Sequence, residues 1–112
     1  TALAAPLFAH HPTISTQVLS ETANVVLRKL SLPLSDTGKL LTMLEATCRV
    51  EIVTPITMQR ALDIVGRYGF SWFDSLIVAT ALDAGCDTLF TEDLQHGQVI
   101  EGKLTVTNPF SM

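Results

Sequence analysis

Charge is scarce in this chain of 112 residues: Asp, Glu, Lys and Arg make up 16% of it, against 47% apolar residues. That much apolar side chain can bury a core, which excludes a disordered segment. Positive charge is scarcer still, seven Lys and Arg against eleven Asp and Glu for a net charge of −4, and the basic residues do not cluster. A basic nucleic-acid-binding patch is therefore not visible. Any phosphate the protein handles needs another source of positive charge, such as a divalent metal. Long apolar runs are absent, Leu76-Ile77-Val78-Ala79 being typical of the longest. The ~20 residues needed to span a bilayer are not approached, which excludes a membrane-spanning helix. No basic segment precedes an apolar one, so no signal peptide is recognisable. Cysteine is limited to Cys48 and Cys86, without CxxC spacing or a nearby His. Both read as buried apolar thiols of a reducing compartment rather than zinc ligands. There is no GxGxxG, no GxxxxGK[ST] and no GxSxG, so dinucleotide, P-loop and serine-hydrolase chemistry are not signalled.

What is present alternates. The chain starts at Thr1 rather than Met, and residues 2–9 read as a helix or helix remnant weakened by Pro6. From that opening an N-terminal piece is expected to be missing. Residues 12–15 read as extended, and residues 16–30 as a helix capped by Ser15 or Thr16 with Arg28 and Lys29 in its last turn. Pro33 marks a loop, after which Ser35 or Asp36 caps a helix to about Cys48 with Leu40, Leu41, Leu44 and Cys48 on one face. Residues 50–54 are a β-branched strand ended by Pro55. Thr57 is expected to cap the next helix, which closes at Gly69. Ser71 caps a helix over residues 72–84, closed by Gly85. Residues 88–91 and 104–107 are the last strands. Strands separated by such helices imply βαβ units, a mostly parallel sheet and one compact domain or part of one. The working site of such a sheet lies beyond the carboxyl ends of its strands.

Three acids stand out there. The helix over residues 72–84 is apolar nearly all round, yet Asp74 has Ile77, Val78 and Ala81 as its i+3, i+4 and i+7 neighbours. Ser71-x-x-Asp74 also fits a capping box with Asp for the usual Glu, so capping and a functional carboxylate both stay open. Glu21 lies on the stripe of Val18 and Val25; it is either an acid near the helix dipole, paired with a distant cation, or a second half-buried site acid. Thr91-Glu92-Asp93 follows the strand at its carboxyl end, either as a polar turn or as part of the site. Carboxylates gathered at one sheet end repel unless a cation sits between them. Oxygen donors without His or Cys suit Mg²⁺ or Mn²⁺, and such sites perform phosphoryl chemistry. His96 reads as a solvated loop residue or a phosphate contact. His10 and His11 read as surface residues. Tyr68, Phe70, Trp72 and Phe73 read as core packing or a base-stacking platform.

The segments that carry these acids resemble conserved blocks of the PIN-domain nucleases. Ile14-Ser15-Thr16-Gln17-Val18-Leu19-Ser20-Glu21 is similar to the second block. Residues 70–82, beginning Phe70-Ser71-Trp72-Phe73-Asp74, are similar to the third, and residues 85–97, with Phe90-Thr91-Glu92-Asp93, to the fourth. The resemblance runs from about Ile14 to Phe110 and is most specific in the last two blocks. It implies a three-layer α/β/α domain with a mostly parallel sheet, over residues 1–112, lacking the family's N-terminal strand and first helix. That strand is central in the family and ends in a further Asp, so its loss implies weak or no activity and a homodimer or swapped oligomer. The resemblance also implies Mg²⁺- or Mn²⁺-dependent cleavage of RNA by the cytoplasmic toxin of a toxin–antitoxin pair (VapC type), with a cognate antitoxin protein as partner and no membrane. Carried over by position, Glu21, Asp74 and Asp93 are the catalytic metal ligands, with Thr91, Glu92 and Ser71 in support. Two other readings compete: a non-catalytic PIN-like binding module, and a metal-dependent phosphatase on a related sheet.

Overall fold

The computed structural model describes residues 12–110. The expected helix over residues 2–9, the surface reading of His10 and His11, and the missing first strand fall outside the described residues. Strand β1 (Thr13–Ser15) runs straight into helix α1 (Thr16–Arg28), and Ser15 is the cap: its Oγ accepts the Val18 N–H at 3.1 Å. The helix stops two residues before the expected Leu30, and Ser31 turns left-handed at φ 51°. Helix α2 (Leu34–Thr47) begins directly after Pro33 with no side-chain cap. Neither Ser35 nor Asp36 serves as one. Pro33, extended at ψ 151°, sets the first turn, and its carbonyl accepts the N–H groups of Asp36 and Thr37 at 3.1 and 3.0 Å.

Strand β2 (Arg49–Glu51) ends three residues before the expected Thr54. Thr54 instead caps helix α3 (Pro55–Tyr68), with Pro55 in its first turn. The expected cap, Thr57, is the other half of the same device. Thr54 Oγ1 accepts the Thr57 N–H at 3.2 Å, and Thr57 Oγ1 accepts the Thr54 N–H at 3.3 Å. Two otherwise orphaned donors are satisfied reciprocally. Thr54→Ala is expected to cost about 1 kcal/mol and to lower Tm by about 5 °C; a melting curve unchanged by the substitution would show that the box contributes nothing in solution.

Gly69 closes α3 with φ 72°, as its position suggests, and Ser71 caps helix α4 (Trp72–Asp83). Three strands follow, β3 (Thr88–Phe90), β4 (Val99–Ile100) and β5 (Leu104–Thr107). Strand β4 is absent from the sequence-based expectation. It is only two residues long, and it joins β5 through a turn in which Glu101 and Gly102 both have positive φ, 55° and 65°. That geometry suits a hairpin, but Glu replaces the usual Asn or Asp. Glu101 is held there from α3: its N–H donates to Tyr68 Oη at 2.9 Å, Tyr68 O–H donates to its Oε2 at 3.0 Å, and Arg67 pairs with its other oxygen.

The described strands form two sheets. β1 and β2 pair in parallel with Ile14 opposite Val50. In the other sheet, of order β3-β5-β4, β3 and β5 are parallel with Leu89 opposite Val106, and β4 is antiparallel to β5. Helix α4 spans the two. Its Val78 and Ala81 pack with Ile64 of α3 over Leu89, Ile100, Leu104 and Val106. Ile77 touches that cluster and also the one formed by Ile14, Val18, Leu44 and Cys48. Cys48 is buried and Cys86 partly so, both as free thiols. Among the described residues no helix is long and apolar enough to cross a membrane.

Candidate functional site

The three acids sit on three separate elements. Glu21 lies in the second turn of α1, which starts at the carboxyl end of β1. Asp74 lies in the first turn of α4, whose far end leads through a short link from Asp83 to Thr88 into β3. Asp93 follows the carboxyl end of β3. Thr91 extends the ladder beyond β3, donating its N–H to the Thr107 carbonyl at 3.1 Å. It is buried, and its Oγ1 accepts the Asp93 N–H at 3.1 Å, which fixes the turn that carries Glu92 and Asp93 into solvent.

Asp74 is half-buried. Ser71 Oγ accepts its N–H at 3.1 Å. The reciprocal bond, from the Ser71 N–H to the Asp74 carboxylate, is absent. Only half of the capping box forms, then, and the carboxylate is not consumed by it. Glu21 corrects two expectations. It is exposed rather than half-buried, and its partner is no distant cation but Gln17, whose Nε2 donates to its Oε1 at 2.9 Å. The same Nε2 donates to the Phe73 carbonyl at 3.3 Å. One amide thus ties Glu21 to the turn of α4 that carries Asp74. The ion pairs of the described residues, Arg49–Glu51 at 3.2 Å, Arg60–Asp83 at 2.6 Å and Arg67–Glu101, all lie elsewhere. No described basic side chain neutralises Glu21, Asp74 or Asp93.

Gln17 was not singled out from the sequence. The available signal was its spacing, four residues before Glu21 on the same helix face. His96 is an exposed loop residue, as the first of its two readings had it, and it also has a structural bond. Its Nδ1 accepts the Asn108 N–H at 3.0 Å, which fastens the loop after β3 to the chain after β5. The aromatic group divides: Tyr68 and Phe70 stack with centroids 5.4 Å apart against the core, while Trp72 and Phe73 are exposed at 39% and 61%.

In donor chemistry the three carboxylates fit a hard divalent cation. In position they do not yet close: among the described residues no group of three or more His, Cys, Asp or Glu side chains is placed to hold a metal ion. Glu21 rides on the helix that follows β1, Asp93 on the turn that follows β3, and no described strand joins those two strands. The gathering of all three acids around one point, expected from a single parallel sheet, is not seen among the described residues. Gln17 links Glu21 to the first turn of α4, and Asp93 sits on the turn that Thr91 fixes after β3.

The PIN domain family model matches residues 2–101. Among solved structures, the chain is similar to Mycobacterium tuberculosis VapC20, described as a sarcin–ricin loop cleaving toxin. The two share 22% identity over 79% of this chain and 73% of that one, with a TM-score of 0.60. At that identity the likeness concerns the fold. No curated protein matches the sequence significantly.

Proposed function

The chain belongs to the PIN domain family, and from that premise we propose that it is an endoribonuclease that hydrolyses RNA phosphodiester bonds with the help of Mg²⁺ or Mn²⁺. The observation that carries the proposal is a set of carboxylates on separate elements that no described cation neutralises, two of them linked through Gln17 and the first turn of α4. Glu21, Asp74 and Asp93 would hold the ion. When bound, such an ion lowers the pKa of a water and steadies charge on the phosphate. The chain's own residues prepare the place. Ser71 fixes the first turn of α4, and Thr91 fixes the turn of Glu92 and Asp93. RNA as substrate is supported by the likeness to VapC20, a toxin that cleaves the sarcin–ricin loop. The same reading makes the protein the toxin of a toxin–antitoxin pair, acting in the cytoplasm where its RNA is, with a cognate antitoxin as partner and self-association into a homodimer or swapped oligomer.

One observation favours a second reading, a non-catalytic binding module: among the described residues no three His, Cys, Asp or Glu side chains form a metal-holding group. Incubation of a mixed RNA pool with this chain separates the two. Weak cleavage is expected with Mn²⁺, and it is expected to vanish with EDTA. Cleavage that persists in EDTA would overturn the metal-dependent reading. RNA binding without cleavage would support the module, and hydrolysis of small phosphate esters in place of RNA would point to a phosphatase.

A further inference from the structure

We infer that Gln17 is a positioning residue that holds Glu21 against the first turn of α4 for metal binding; this rests on the metal-dependent reading above. Its Nε2 donates one proton to Glu21 Oε1 at 2.9 Å and the other to the Phe73 carbonyl at 3.3 Å. Both partners are acceptors only, so the amide cannot be turned round without aiming its oxygen at two oxygens. The orientation is therefore fixed, and it has a consequence at the other end. Gln17 Oε1 is buried and has no partner among the described residues. A buried acceptor left unpaired destabilises a fold. An apolar side chain of the same length would serve the core better. What glutamine provides here is its donor end, which orients a carboxylate and links it to the helix that bears Asp74. Groups that orient metal ligands in this way typically account for a 10–100-fold difference in metal affinity.

The test is Gln17→Met, which keeps length and helix propensity and removes both ends of the amide. Gln17→Leu accompanies it, because its side chain has no sulfur to contact a metal. Mn²⁺ binding is followed by electron paramagnetic resonance and calorimetry, and Tm by thermal melting, with Asp74→Asn in the same series. Both Gln17 variants are expected to keep or raise Tm while Mn²⁺ affinity falls about tenfold or more. A joint fall of Tm and affinity would mean that the bond serves the fold, and unchanged affinity would mean that Glu21 needs no positioning; either result overturns the inference. Asp74→Asn tells the two levels apart. If it abolishes Mn²⁺ binding while the Gln17 variants bind like the parent, only the role of Gln17 fails. If the parent binds no Mn²⁺, or Asp74→Asn binds it equally well, the metal reading fails and the inference with it.

Discussion

Asp74→Asn is expected to lower RNA cleavage on the order of a thousandfold while leaving the fold in place. A metal ligand contributes several kcal/mol of charge stabilisation, and each 1.36 kcal/mol is tenfold in rate. The fold is spared because of how the first turn of α4 is built. The bond that caps it joins Ser71 Oγ to the backbone N–H of residue 74, and Asn keeps that N–H. The carboxylate itself accepts nothing from Ser71 and pairs with no described cation. The substitution removes one favourable charge from a helix N-terminus, a loss of about 0.3–1 kcal/mol, which corresponds to a fall in Tm of about 2–6 °C. Single-turnover cleavage rates and thermal melts of the two proteins check both halves. Cleavage retained to within tenfold would remove Asp74 from the site. Lost cleavage accompanied by a collapse of Tm would say only that the helix needs its acid.

The sequence was most informative where a local rule and a tertiary demand coincide. Ser71 caps α4 because a hydroxyl there has a free N–H three residues on, and the apolar run behind it must be buried on both sides. Gly69 is equally legible, since the chain turns left-handed between two helices at φ 72°. Legibility fails where the partner comes from elsewhere in the chain. Strand β4 has two residues and no pattern of its own; it exists because β5 offers an edge and because Tyr68 and Arg67, more than thirty residues away, hold Glu101 in its turn. Thr54 looked like the end of a strand because a β-branched residue suits one, whereas its hydroxyl is committed to Thr57. At the site, spacing identified Asp74 as an acid on an apolar helix, and the structure leaves its carboxylate uncommitted. Spacing also placed Glu21 on an apolar stripe. The side chain is exposed, however, and what orients it is a glutamine one turn away, whose second bond to Phe73 no one-dimensional pattern could reveal.

Ile64→Ala is expected to produce the largest loss of stability, about 3 kcal/mol. Ile64 is 1% exposed on the inner face of α3. It packs in one cluster with Val78 and Ala81 of α4 and with Leu89, Ile100, Leu104 and Val106 from all three strands of the larger sheet. Truncation removes three carbons from water-free surroundings and leaves a cavity that two elements would have to move to fill. Changes of this kind cost 2–5 kcal/mol, out of the 5–15 kcal/mol that holds a typical domain together. A fall in Tm of about 15 °C follows. Two controls separate the cavity from general damage. Ile64→Val keeps most of the volume and is expected to cost about 1 kcal/mol. Ile56→Ala, on the same helix but at a side chain 74% exposed, is expected to change stability by no more than about 0.5 kcal/mol. Denaturant unfolding of the three variants at 25 °C gives the comparison directly, and a loss below 1 kcal/mol for Ile64→Ala would mean that α3 does not close the core. The consequence for the site is specific. The cluster seats α4 through Val78 and Ala81, on the faces below Asp74, while Glu21 is tied to α4 by Gln17 rather than by the core. Cleavage by Ile64→Ala should therefore decline in step with its folded fraction, and its Mn²⁺ affinity, measured well below its Tm, should stay within about threefold of the parent, about a fifth of the effect on stability once converted at 1.36 kcal/mol per tenfold.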